Sequence, residues 1–95
     1  MDLYEALDRV KDFPSFLTFA KLLQADREYA VTMEKEEPSS PYASQHGWEN
    51  ITIEDFLDGA IRWAEATRCG ESQGTSAANP WKQFAEFLYC GKIYE

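Results

Sequence analysis

Apolar residues recur at helical spacing in four stretches of the chain, and polar or turn-forming residues separate them. In the first stretch Leu3, Ala6, Leu7 and Val10 share one side of a helix. Asp2 stands where an N-cap accepts a backbone N–H, Glu5 follows three positions later, and Glu5 with Arg9 forms an i,i+4 ion pair worth about 0.2–0.5 kcal/mol. Asp12 and Pro14 mark a break and a restart. A second helix then carries Phe16, Phe19, Ala20 and Leu23, with Leu17 and Leu22 widening its apolar side. From residue 29 to 34 the pattern also alternates as a short strand would. Helix to about Lys35 is preferred, because a lone strand leaves its edges unpaired.

The third stretch is the most strongly specified. Thr52 is placed to cap it, Asp55 sits three residues on, and Ile51 with Phe56 is spaced as a hydrophobic staple. Ile53, Phe56, Leu57, Ala60, Ile61, Trp63, Ala64 and Thr67 then cover about half of the circumference, a width suited to more than one neighbour. Gly70 is expected to end the helix in the left-handed conformation, and the residues through Ala78 to form a flexible connection. Asn79-Pro80 opens the last helix as N-cap and N1. Trp81, Phe84, Ala85, Leu88 and the stem of Lys92 share one side of it, while Phe87, Tyr89, Cys90, Ile93 and Tyr94 make much of the remainder apolar. The expected fold is all-α: a compact small bundle of about four helices in one domain spanning 1–95, with an irregular or β segment near residues 29–34 as the alternative.

Length agrees with one core. A 10.9 kDa chain of 95 residues is expected to expose about 5,600 Å² when folded. Its 17 acidic residues against nine Lys and Arg give a net charge of −8, spread evenly along both halves. That charge disfavours nucleic acid and anionic membrane faces as partners. No apolar run approaches the ~17–25 residues of a membrane span, and the acidic start lacks the features of a secretory signal. Cys69 and Cys90 stand apart, unlike a disulfide framework. A cytoplasmic protein with reduced thiols is the expectation.

Candidate chemistry centres on His46-Gly47-Trp48-Glu49-Asn50, just before the third helix. Trp48 either plugs the core or forms a binding lip, and Asn50 is suited to tying the chain down through side-chain hydrogen bonds. His46 and Glu49 form the one nearby imidazole and carboxylate pair that a hydrolase would need, but they lie in a loop that fixes no proton-transfer geometry. His46 with the two cysteines lacks metal-ligand spacing, so neither metal nor cofactor is expected. Glu54, Asp58 and Glu65 form a charged helix face on which Arg62 follows Asp58 by four residues. Such a face remains solvated or attracts a basic protein.

Trp48-Glu49-Asn50, followed by Thr52, Phe56 and Leu57 and later by Trp81, Phe84, Ala85, Leu88 and the ending Ile93-Tyr94-Glu95, resembles a family of small acidic bacterial proteins of unknown function. The resemblance implies a role for the Trp-Glu-Asn turn and the Tyr94-Glu95 end beyond generic folding, with Tyr94 near Trp48 and with Glu49 or Glu95 engaging Arg62 or Arg68. The resulting expectation is a non-catalytic protein-interaction or accessory domain, possible binding residues being His46, Trp48, Glu49, Asn50, Glu54, Asp58, Arg62, Glu65, Tyr94 and Glu95. A homodimer through the C-terminal helix would bury Phe87 or Tyr89, leaving Trp81, Phe84 and Leu88 to the monomer core. The alternative is a small-molecule-binding domain or hydrolase using a cleft near Trp48, His46 and Glu49.

Overall fold

Side chains that satisfy the first backbone N–H groups set where each helix begins. The computed structural model describes residues 1–41 and 43–94. Among them lie α1 (Leu3–Asp8), α2 (Phe13–Glu36), α3 (Ile53–Thr67) and α4 (Pro80–Ile93), with a 3-10 turn at Glu71–Gln73. Asp2 accepts the Glu5 N–H at 2.8 Å, and Thr52 accepts the Asp55 N–H at 3.1 Å. Asn79 accepts the Lys82 N–H at 3.1 Å, with Pro80 opening α4 behind it. At the start of α2 the cap is reciprocal: Asp12 accepts the Ser15 N–H at 3.0 Å, and the Ser15 hydroxyl accepts the Asp12 N–H at 3.1 Å.

The expected all-α bundle is present. Residues 29–34 lie inside α2, with Ala30 fully buried, and the helical reading of that segment holds. Phe19 sits at the centre of the core. Leu23 and Ala30 of α2, Ala6 and Leu7 of α1, Val10, Trp48 and Ala85 of α4 complete it. The 24-residue α2 is about 36 Å long at the ~1.5 Å rise of a helix, which sets the longest dimension of the 42 × 27 × 18 Å molecule. The radius of gyration is 13.7 Å, against about 12.4 Å for a chain of this length. The accessible surface of 6185 Å² likewise exceeds the ~5,600 Å² expectation.

Part of that excess is apolar, and it corrects the sequence reading of two helices. Among the described elements α3 packs on α4 and the 3-10 turn, so its half-circumference arc is covered on one flank only. Gly59, Ala60, Trp63 and Thr67 are buried, whereas Ile53, Leu57 and Ile61 are exposed. In α4 the buried positions are Ala85 and Gly91; Trp81 and Phe84, expected in the monomer core, lie partly exposed at its margin against Phe13 and Phe16 of α2. Small residues at these crossings let the backbones approach closely, leaving the large rings at the margin.

The stretch after α3 is not the free connection that its Gly and Ser content suggests. The helix ends at Thr67, where Arg68 and Cys69 already take positive φ (54° each) before Gly70 does (90°). The Thr67 hydroxyl accepts the Gly70 N–H at 2.9 Å and donates to the Trp63 carbonyl at 2.7 Å. Gln73 accepts from Trp63 Nε1 at 3.1 Å, and the Thr75 hydroxyl meets the Glu86 carboxylate at 2.7 and 2.8 Å. These bonds fasten the segment to α3 and α4.

Two measurements test this packing. A Cβ at Gly59 would stand 2.5 Å from the Tyr94 carbonyl oxygen and 2.6 Å from Asn50 Nδ2, and one at Gly91 would stand 2.8 Å from the Phe56 ring. Gly→Ala inside a helix ordinarily stabilises by up to about 1 kcal/mol. Gly59→Ala and Gly91→Ala are instead expected to destabilise by about 1–3 kcal/mol in denaturant titrations. The second concerns Asp12, whose carboxyl is held below its ordinary 3.8 by the Ser15 hydroxyl and then by the Ser15 N–H. A lowered native pKa means that the contribution is complete above the ordinary value and is lost as pH falls through the native one. Melting temperature is therefore expected to drop on acidification through the carboxylate range, and by less in Asp12→Asn, which caps without titrating.

Candidate functional site

The loop from Glu37 to Thr52 returns across the bundle and is anchored by Trp48. This side chain is 5% exposed, so the core-plug reading holds. Gln45 and Trp48 exchange backbone hydrogen bonds at 3.0 and 3.1 Å, closing a turn in which His46 and Gly47 both have positive φ. The Trp48 indole N–H donates to Asp26 Oδ2 at 2.9 Å. Lys92 Nζ reaches the same oxygen at 2.8 Å, with its side chain only 12% exposed. One carboxylate oxygen thus joins α2, the loop and α4.

Cations also flank the indole. The Arg27 guanidinium lies 5.3 Å and Lys92 Nζ 5.6 Å from the ring centroid, both within cation–π range. Arg27 Nη1 is buried and has no hydrogen-bond partner among the described residues. The Phe56 ring stacks on Trp48 with centroids 6.2 Å apart. Gly91 leaves room for that ring.

Glu49 and Asn50 continue the same fastening. Their backbone N–H groups both donate to the Lys92 carbonyl, at 3.0 and 3.3 Å. Asn50 Nδ2 donates to the carbonyls of Gly91 at 2.9 Å and Tyr94 at 2.7 Å. The last carbonyls of a helix lack intrahelical donors, so this turn serves as the C-terminal cap of α4. Tyr94 thereby meets Asn50 of this turn through its backbone carbonyl. Glu95 lies outside the described residues, and Arg62 pairs with Asp58 at 3.7 Å.

The remaining sequence candidates fall on other surfaces. His46 is exposed, and its ring meets Tyr29 edge-on at 5.8 Å. A hollow of about 470 Å³ beside Trp48 and Glu49 is lined also by Glu34 and Ser39. Ser39 donates its N–H at 2.9 Å and its hydroxyl at 2.8 Å to the two oxygens of Glu34. Those bonds, the N–H first, hold the Glu34 carboxyl below its ordinary value, so it is an ionised acceptor engaged within the loop rather than a proton donor at neutral pH. Burial, reinforced by Glu86, pushes the Cys90 thiol up to about 12, and burial raises Cys69 as well. Thiolate nucleophiles are scarce in such surroundings. Among the described residues no group of three His, Cys, Asp or Glu side chains is placed to hold a metal ion, and no helix is long and apolar enough to cross a membrane.

On the outer side of α3, Ile53, Leu57 and Ile61 are spaced four residues apart and form a ridge, with Ile53 78% exposed. Glu54, Asp58 and Glu65, all exposed, run beside it at the next angular position of the helix. An apolar ridge bordered by carboxylates is suited to recognising an apolar surface that carries cations.

Asp26 and Arg27 were not among the residues singled out from the sequence, and Lys92 was read only as a stem on the apolar side of the last helix. A signal existed: Asp26 occupies an inward position in the series Phe19, Leu23, Asp26, Ala30 of α2, where an unpaired charge would be costly. Lys92 occupies the corresponding side of α4.

Residues 12–95 match the model of a family described as a family of unknown function (DUF7660), and the chain belongs to that family. No curated protein and no solved structure matches the chain. The match begins at the N-cap of α2 and includes every residue of the Trp48 anchorage.

Removing the shared acceptor tests how far the site depends on it. Asp26→Ala leaves the indole N–H and a largely buried ammonium without their partner, and is expected to cost about 2–4 kcal/mol in a denaturant titration followed by tryptophan emission. Asp26→Ala combined with Lys92→Met removes the stranded cation and is expected to recover part of that loss.

Proposed function

We propose that the chain is a non-catalytic protein-interaction domain of the bacterial cytoplasm that binds a basic protein through the outer side of α3. The observation that carries this reading is the ridge of Ile53, Leu57 and Ile61 lying exposed beside Glu54, Asp58 and Glu65. Apolar side chains supply affinity once desolvated, while a carboxylate row steers a cationic partner and rejects anionic ones. A net charge of −8 extends that attraction beyond the contact itself.

The occupant that fits is an amphipathic basic segment. Its apolar residues pack along the ridge, and its Lys or Arg residues stand over the acids. The Trp48 anchorage supports such a surface indirectly, since it fixes the start of α3 against α4. A small-molecule or hydrolytic role for the hollow beside Trp48, His46 and Glu49 has less behind it. Glu34 there is engaged by Ser39, and the exposed His46 ring packs on Tyr29.

Affinity capture from native bacterial lysate at low salt is expected to retain one basic protein in stoichiometric amount. Truncating Leu57 and Ile61 to Ser is expected to weaken the purified complex about 10-fold per residue, chiefly through faster dissociation. Glu54→Lys with Asp58→Lys and Glu65→Lys is expected to slow association and abolish its salt dependence. A complex that survives both sets of changes unweakened, or a chain that retains no partner, contradicts the assignment.

A further inference from the structure

Beside the Trp48 anchorage the fold leaves a cation without an acid. The Arg27 guanidinium lies 5.3 Å from the centroid of the indole, and its Nη1 is shielded from solvent with no hydrogen-bond partner among the described residues. The other cation over that ring, Lys92, is paired with Asp26 at 2.8 Å. None of the ion pairs among the described residues includes Arg27, although the chain has 17 acids against nine Lys and Arg. Of its neighbours in sequence, Asp26 is occupied by Lys92 and the indole, and Glu28 is exposed. A desolvated donor that lacks an acceptor is costly, and an aromatic face is a weaker acceptor than a carboxylate.

Arg27 lines a hollow of about 230 Å³ whose apolar walls are Trp48, Phe56, Ile51 and Ile53. Asn50 and Thr52 complete the lining, and their side chains are engaged at the end of α4 and the start of α3. Among the described residues Arg27 is the only charged group in these walls. The hollow is smaller than the ~300–1,000 Å³ pockets that enclose a drug-sized ligand, so its occupant is a short group. We propose that this hollow binds a short apolar group that bears a carboxylate.

The apolar body packs against the two rings and the two isoleucines, and the carboxylate pairs with the guanidinium, whose planar fork matches it. A phosphate dianion fits less well, because a single cation leaves one of its charges unbalanced in a chain of net charge −8. Two sources offer the required group: a free short-chain acid and the last residue of a peptide. Ile53 belongs both to the hollow and to the α3 ridge, so a basic segment laid along that ridge can end in the hollow. This second source rests on the reading of α3 as a docking surface; the first does not.

Titration of the protein with isocaproate, followed by NMR at the Trp48 indole N–H and the Arg27 Nε–H, is expected to give saturable shifts at both. Isocaproamide has nearly the same shape without the charge and is expected to bind at least about 10-fold more weakly. Arg27→Met is expected to keep melting cooperativity and to bring the acid down to the affinity of the amide. Should that variant fail to fold, Arg27→Lys keeps the cation without the planar fork and is expected to reduce the preference for the acid. A lysine-rich peptide ending in leucine with a free carboxylate is expected to bind at least about 10-fold more tightly than isocaproate, and to lose that gain on amidation of its end; equal binding of peptide and acid assigns the hollow to the free acid. Acid and amide that bind equally, shifts that persist unchanged in folded Arg27→Met, or no saturable shift at either N–H overturn the proposal. Leu57→Ser is expected to weaken the peptide and leave isocaproate binding unchanged, and a peptide insensitive to it counts against the reading of α3 alone.

Discussion

A single carboxylate oxygen, Asp26 Oδ2, accepts from the Trp48 indole at 2.9 Å and from the Lys92 ammonium at 2.8 Å. Asp26 belongs to α2, Trp48 to the long loop and Lys92 to α4. A largely buried ion pair gains little over an apolar replacement in stability alone. Its effect is one of register: the indole N–H and the ammonium each require that oxygen, so loop and helix hold one position relative to α2. Asn50 then occupies the open carbonyls of Gly91 and Tyr94, and Phe56 can stack on Trp48 only because Gly91 has no side chain. The start of α3 and the end of α4 are thus fixed by one set of contacts. No intrinsic helix preference supplies that arrangement.

Local signals in the sequence were sufficient for the helices and their starts. Asp2, Thr52 and Asn79 cap as their types and spacing require, and the helical continuation of α2 through residues 29–34 follows from the absence of a strand with which to pair. Apolar periodicity was less informative about burial. It reports which side of a helix is able to be covered, whereas the number of neighbours decides how much is. Since α3 has α4 and a 3-10 turn against it, Ile53, Leu57 and Ile61 remain outside. The same limit applies to α4, where Ala85 and Gly91 take the inward positions and Trp81 and Phe84 the margin.

The site was legible in part. Trp48 and Asn50 stand out as a large ring and a backbone-fastening amide before a capped helix, and both make those contacts. Asp26 and Lys92 are ordinary charged residues until their helical phase is considered. Each falls on the apolar side of its helix, and opposite charges on two inward faces imply a pair across the crossing. Residues 70–78 misled for a different reason: small polar side chains permit flexibility, but Thr75, Gln73 and Gly70 each find a specific partner in α3 or α4. Composition cannot register partners distant in sequence.

The exposed apolar ridge of α3 and the half-exposed rings between α2 and α4 differ in the charges near them. Beside the α3 ridge stand Glu54, Asp58 and Glu65, whereas Lys82, next to Trp81 in the chain, is paired with Asp8 at 3.7 Å. With a screening length of about 8 Å at physiological ionic strength, a partner responds mainly to charges bordering its own contact rather than to the net charge of the whole chain. Because α4 lies against both α2 and α3, the helix that carries Trp81 and Phe84 at its margin also holds, through Gly91 and Lys92, the contacts that keep α3 in place.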